Sequence, residues 1–251
     1  MTILRSILFQ LAISVFTVVF VSVLLLLFWL PLYRRHLLSR FWVKVAMAMV
    51  RHILGIRYTL AGAEHLPEGG FVILCKHQSA WETIALQEIF PGAVFVMKRE
   101  LYWVPFFGWG LALMPMIAIN RSAGKDALNS VTRQGERRLQ AGYRVVVFPE
   151  GTRVKPGLQR RYKIGGAYLA VHSGFPVVPV AVNSGEVWGR NALFKKPGNV
   201  IVHVGPSIDP KGLTAEEVNR RTEAWIEGEM RIISPHLYRE DAPPPATRAA
   251  T

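Results

Sequence analysis

Cysteine is almost missing: the 251 residues hold one, Cys75. That excludes an internal disulfide framework and any zinc site built from several cysteines. It is compatible with a reducing compartment. Acids are missing from the first quarter of the chain. Met1 to Tyr33 carries one basic residue, Arg5, and Arg34 to Ala63 carries six, with no acid in either stretch. All 17 acidic residues lie from Glu64 onward, where 23 basic residues nearly balance them. About half of the net charge of +13 therefore follows directly on an apolar N-terminus. Such placement suits an anionic lipid surface better than a nucleic-acid groove. Aromatics interleaved with lysines on one face, as RNA readers carry, are not apparent, and no nucleic-acid partner is expected.

Several catalytic signatures are absent too. No G-x-S-x-G elbow, Walker A loop, G-x-G-x-x-G turn or H-E-x-x-H pair occurs, so a serine nucleophile is unsupported. Nothing in the sequence calls for a metal or a resident cofactor. Cys75 ends an apolar run and reads as a core residue.

The length fits one sizeable α/β domain plus an anchoring segment. Ser6 to Tyr33 is 28 residues without a charge, longer than the roughly 20 needed to cross a bilayer as a helix. A cleaved signal peptide is the alternative, but Pro31, Leu32 and Tyr33 follow the run and no small-x-small site does. Leu37 to Ile56 reads as a second helix, with Arg40, Lys44 and Arg51 on one narrow edge. It suits a membrane interface, or else a place in the core. Residues 1–56 are thus expected to form an N-terminal membrane-associated helical pair (6–33 and 37–56), 57–238 an α/β domain, and 239–251 a disordered tail. Positive charge after the apolar run places the domain on the cytoplasmic side of an inner membrane.

From Arg57 on, short β-branched runs at 57–60, 71–75, 94–97, 116–119, 145–148, 177–182 and 199–204 alternate with helical stretches at 81–89, 125–141, 165–172 and 214–233. This alternation predicts an α/β fold with a largely parallel central sheet flanked by helices. Ligands in such folds bind outside the C-terminal strand ends. After the strand at 71–75 comes His77, well placed for general base work near neutral pH. Glu82 is positioned to orient its ring, although Ser79 and Glu82 also spell S-x-x-E, a capping box that alone explains both. Positions five apart lie about 140° apart on a helix, so the pair meets only if His77 stays in the turn. After 145–148 comes Pro149-Glu150-Gly151-Thr152-Arg153, where glycine permits a tight turn and arginine offers a fork of donors to a phosphate. A solvated basic loop is the plainer account. Arg121 closes 116–119 and Lys98 closes 94–97.

As a set these motifs resemble the phospholipid/glycerol acyltransferase family, and within it the 1-acylglycerol-3-phosphate acyltransferases. The chain carries His77 with Glu82, the apolar strand ending in Arg121, the complete F-P-E-G-T-R at Phe148–Arg153, and Val177–Val182 with its central proline. Lys98 to Leu101, with Pro105 and Gly108, fits the family's lysine-containing segment. The match spans about Gly70 to Gly185, and Glu82 stands where the family usually has aspartate.

The resemblance implies a glycerol-phosphate acyltransferase-like fold and an enzyme that moves a fatty acyl group from acyl-CoA or acyl carrier protein. The acceptor implied is the sn-2 hydroxyl of lysophosphatidic acid, drawn from membrane lipids. It implies catalytic His77 and Glu82, with Lys98, Arg121, Glu150, Gly151, Thr152 and Arg153 toward substrate. Backbone N–H groups near Gly151 are expected to serve an oxyanion. Other acceptors, glycerol-3-phosphate or a lyso-aminolipid, stay open, as does a non-catalytic lipid-binding protein of the same fold.

Overall fold

The computed structural model describes residues 2–120 and 123–238. Arg121 and the tail at 239–251 lie outside these. Seven strands form one sheet: β1 (Ile56–Ala61), β2 (Phe71–Cys75), β3 (Ala93–Lys98), β4 (Ile117–Ile119), β5 (Arg144–Val147), β6 (Val177–Val182) and β7 (Gly198–Val204). Their spatial order is β1-β7-β6-β2-β5-β3-β4. Strands β6, β2, β5, β3 and β4 run parallel, while β7 is antiparallel to β6 and carries β1 beside it. The sheet is therefore largely parallel, as the alternation predicts, with an opposed pair at one edge.

Every residue of β2 and β6 is buried. A parallel sheet covered on both faces needs such uninterrupted apolar runs. Each fully buried Val or Leu contributes ~1.5–3 kcal/mol relative to exposure. Pro179 sits in a central strand, where a missing N–H is usually costly. Its carbonyl accepts from Gly205 N–H at 2.9 Å on the β7 side, and β6–β7 pairing begins one residue later, at Val180. The β2 ladder therefore loses nothing.

Helices α3 (Trp81–Ile89), α4 (Phe107–Ala112), α5 (Gly124–Gln140), α6 (Gly165–Ser173) and α7 (Ala215–Ile233) connect and cover the strands. Short α4 has no counterpart in the sequence reading. The N-terminal helices differ most from expectation. Helix α1 covers Thr2–Leu26 and α2 Leu32–Met49, the latter running on through a wider turn at Val50–Leu54. The uncharged run at 6–33 is thus one helix, a turn and the start of another. Pro31 caps α2 at its N-terminus, where a residue without an N–H costs least. Gly55, at φ 70°, ends α2's extension and releases β1.

Helix α2 divides into a buried and an exposed face. Val43, Ala46 and Met47 are buried in the common core, and Arg40, Lys44 and Arg51 are exposed. Helix α1 is long and apolar enough to cross a membrane and is mostly exposed. One face packs on the domain: Phe9 meets the Trp188 ring edge-on at 5.5 Å, and Ser6 Oγ accepts from Lys195 N–H at 2.9 Å.

Candidate active site

His77 lies in the turn between β2 and α3, not on the helix. The turn folds back over the first turn of α3, and His77 Nδ1 comes within 3.0 Å of Glu82 Oε2. The geometric condition set by the five-residue spacing is met. With Nδ1–H donated to the carboxylate, Nε2 is the basic nitrogen. The imidazole stacks on Phe148 with 3.8 Å between ring centroids.

Glu82 is wholly buried. Its carboxylate accepts from Gln78 N–H at 3.1 Å, from Ser79 N–H at 2.9 and 3.0 Å, and closely from the Ser184 hydroxyl. A buried carboxylate needs such donors to stay charged. Reaching back to Ser79 N–H is the glutamate half of a capping box, while Ser79 Oγ accepts from Trp81 N–H at 2.9 Å. Cap and histidine partner are therefore one side chain. The N-terminus of α3 adds its positive dipole end.

A cavity of about 910 Å³ opens beside this pair. Its lining includes His77, Gly151, Thr152, Arg153, Lys98 and Arg190. Most of the remaining wall is apolar, formed by α1 (Phe9, Ile13, Phe20, Val21, Leu24) and by the segment from Leu101 to Met116. His77 and Arg153 thus share one space, as do the ends of β2, β3 and β5.

Two sequence-predicted residues, Glu150 and Gly151, differ from expectation, and a third, Arg121, lies outside the described residues. Glu150 does not reach the cavity; it is fully buried, with Oε1 2.9 Å from Lys76 Nζ and Oε2 accepting from His77 N–H at 2.7 Å. Burial pushes its carboxyl up to about 7, partly offset by Lys76. Gly151 lines the cavity, but its N–H donates to Phe148 C=O at 3.0 Å, so that amide is committed to the turn rather than to an oxyanion. The turn itself requires glycine: φ is +69°, and a Cβ would meet the Lys163 side chain at 3.0 Å. Val154 N–H donates to His77 C=O at 2.7 Å, binding the two motifs together.

The sequence reading missed Ser184, Trp188 and Arg190. Arg190 lies eight residues past the end of β6, beyond a short helix at Ser184–Glu186, so the strand-end rule that singled out Lys98 and Arg121 does not reach it. Nothing local marks Ser184.

Comparison with known proteins decides the family. The Acyltransferase family model matches residues 57–183, about half of the chain. The chain belongs to the acyltransferase family. It is 43% identical over 208 residues to a 1-acyl-sn-glycerol-3-phosphate acyltransferase of Pseudomonas aeruginosa, covering 82% of this chain and 81% of that one. It is 31% identical over 179 residues to the alpha form of that enzyme from Homo sapiens, covering 70% of this chain and 63% of the human one. Among solved structures, the 1-acyl-sn-glycerophosphate acyltransferase of Thermotoga maritima shares the fold, with a TM-score of 0.76 at 22% identity over 92% of this chain and 95% of that one. Acyl transfer is therefore the chemistry of this chain.

Proposed function

We propose that this acyltransferase moves a fatty acyl group from acyl-CoA or acyl carrier protein to the sn-2 hydroxyl of 1-acyl-sn-glycerol-3-phosphate, giving phosphatidic acid. One observation carries the reading: a carboxylate-held histidine opens onto a cavity lined by cationic side chains and, over most of its wall, by apolar ones. That polarity matches a lysolipid phosphate joined to an acyl chain better than it matches glycerol-3-phosphate, which has no apolar part.

In this reading His77 Nε2 takes the proton of the acceptor hydroxyl as its oxygen attacks the thioester carbonyl. The C–S bond then breaks, and the departing thiolate recovers the proton from the imidazolium. Glu82 stabilises that cation and holds the tautomer. Transfer is direct, since Cys75 is buried and its thiol is pushed well up by burial, which leaves it inert. Arg153 binds the acceptor phosphate through its planar fork, with Lys98 assisting. The alignment of oxygen and carbonyl in one cavity supplies much of the rate.

Membrane association belongs to the same proposal. The outward faces of α1 and α2 expose Leu8, Leu11, Val15 and Phe41, and the cavity's flank exposes Trp103, Phe107 and Trp109. An apolar skirt beside a largely apolar cavity lets the acceptor enter from the bilayer with its acyl chain out of water. The domain faces the cytoplasm, where both donors are found.

The test is a panel of acceptors assayed with purified protein by thiol release. Turnover with 1-acyl-glycerol-3-phosphate exceeding that with glycerol-3-phosphate and lyso-aminolipids by about 100-fold supports the reading. Turnover favouring either of the others overturns it.

A further inference from the structure

A buried charged cluster lies beneath His77 and takes no part in the proton transfer. Lys76, fully buried, places Nζ 2.9 Å from Glu150 Oε1 and 2.7 Å from Glu227 Oε1, and donates to Leu158 C=O at 3.3 Å. Tyr162 donates its hydroxyl to Glu227 Oε1 at 2.8 Å. Glu227 comes from α7, outside the stretch that matches the family. The other oxygen of Glu150 accepts the main-chain N–H of His77. An unbroken set of contacts thus runs from the C-terminal helix through Lys76 and Glu150 to the backbone of the base.

Stability is a weak reason for such a cluster. Buried ion pairs lose in desolvation much of what they gain by attraction, and apolar replacements are often as stable. Placement is a better one. Glu82 fixes the ring of His77, but the ring moves wherever its main chain moves, and a misplacement of about 1 Å can cost 10²-fold in rate.

We propose that Lys76 is a positioning residue, itself anchored by Glu227, which holds the Glu150 carboxylate against the His77 amide and so fixes the backbone from which the imidazole reaches substrate. This rests on the reading of His77 as the base. Charge within the cluster sets how firmly Glu150 accepts that N–H, since an ionised acceptor binds about twice as strongly as a neutral one. Lys76 draws the Glu150 carboxyl down and Glu227 pushes it up. Tyr162, Tyr238 and Cys75 also face the cluster, all held protonated by burial. Glu223 and Arg231 of α7 stand at its margin, and Glu82 lies across the His77 turn. Removing Lys76 and removing the charge of Glu227 must therefore act in opposite directions.

The test compares full-length wild type, Lys76→Met and Glu227→Gln in detergent, by acyl transfer across about pH 5.5 to 9. Hydrogen exchange of peptides covering residues 75–80 is measured without substrate. Lys76→Met should lower kcat roughly tenfold near neutrality with the acceptor KM unchanged, move the acidic limb up by about one pH unit, and speed exchange. Glu227→Gln should move the limb to lower pH. Variants that lose only thermal stability, with wild-type pH profiles and exchange, overturn the proposal. A wild type that acylates no acceptor refutes the proposed function instead, and exchange alone then decides whether the cluster holds the turn.

Discussion

The Nδ1 of His77 and the Oε2 of Glu82 stand 3.0 Å apart although five residues separate them. They meet because His77 precedes α3 by a full turn of chain, and because five further donor contacts pin the carboxylate where the imidazole can reach it.

Replacing His77 with alanine should lower kcat by roughly 10²–10⁴-fold, the usual contribution of a positioned base. Circular dichroism should be unchanged, because the side chain faces the cavity. Near-normal turnover would remove the base from the mechanism.

Glu82→Asp restores the more usual residue but shortens the side chain by one methylene. The carboxylate then has to give up either His77 or the Ser79 and Ser184 donors. We expect about a tenfold loss of kcat with little change in fold. Glu82→Gln should cost more activity and also lower the melting temperature, since an amide cannot accept from every donor now present.

Arg153→Lys keeps the charge but loses the planar fork. The acceptor KM should rise about tenfold while kcat stays within a factor of about three. A rise confined to the thioester KM would assign Arg153 to the donor.

Glu150 gives a pH dependence of stability with a definite sign. Its folded pKa, about 7, lies above the ordinary 4.5. Its contribution is therefore fully present below 4.5 and lost as pH rises through 7. Denaturation midpoints compared between wild type and Glu150→Gln should show the wild type losing ground across that window. A difference independent of pH would contradict the assignment.

Leu11 and Val15 are 61% and 64% exposed on the outer face of α1. Changing both to lysine places two charges where the bilayer core is proposed, each costing about 2.5–3.5 kcal/mol near the centre of a spanning helix. Vesicle flotation should show the protein leaving the lipid fraction. Unchanged flotation would mean that this face does not enter lipid.

Much of the fold was legible because the central strands β2 and β6 are unbroken apolar runs set between turn or polar residues. The exact spans of β2, β6 and α3 appear in the letters for that reason. The N-terminal break was less legible. A uniformly apolar stretch carries no period by which to divide it, and only Pro31 hints at the turn. The site was legible where its residues are neighbours in sequence, as in His77 with Glu82 and in Phe148 to Arg153. It was opaque where partners come from afar: Ser184 lies 102 residues from Glu82 and Glu227 lies 151 from Lys76.

The sequence by itself determined which chemistry this chain carries, because an imidazole, a carboxylate and a guanidinium keep their reactivity wherever the chain places them. It also determined where the buried strands run, because only uninterrupted apolar stretches can fill a sheet covered on both faces. Only the tertiary structure decided which way each group points. Glu150 and Arg153 stand three residues apart in one motif, yet one turns under the sheet to hold a backbone amide and the other faces the cavity. That choice depends on which partners packing brings near, and a buried carboxylate goes where cations and N–H donors already wait.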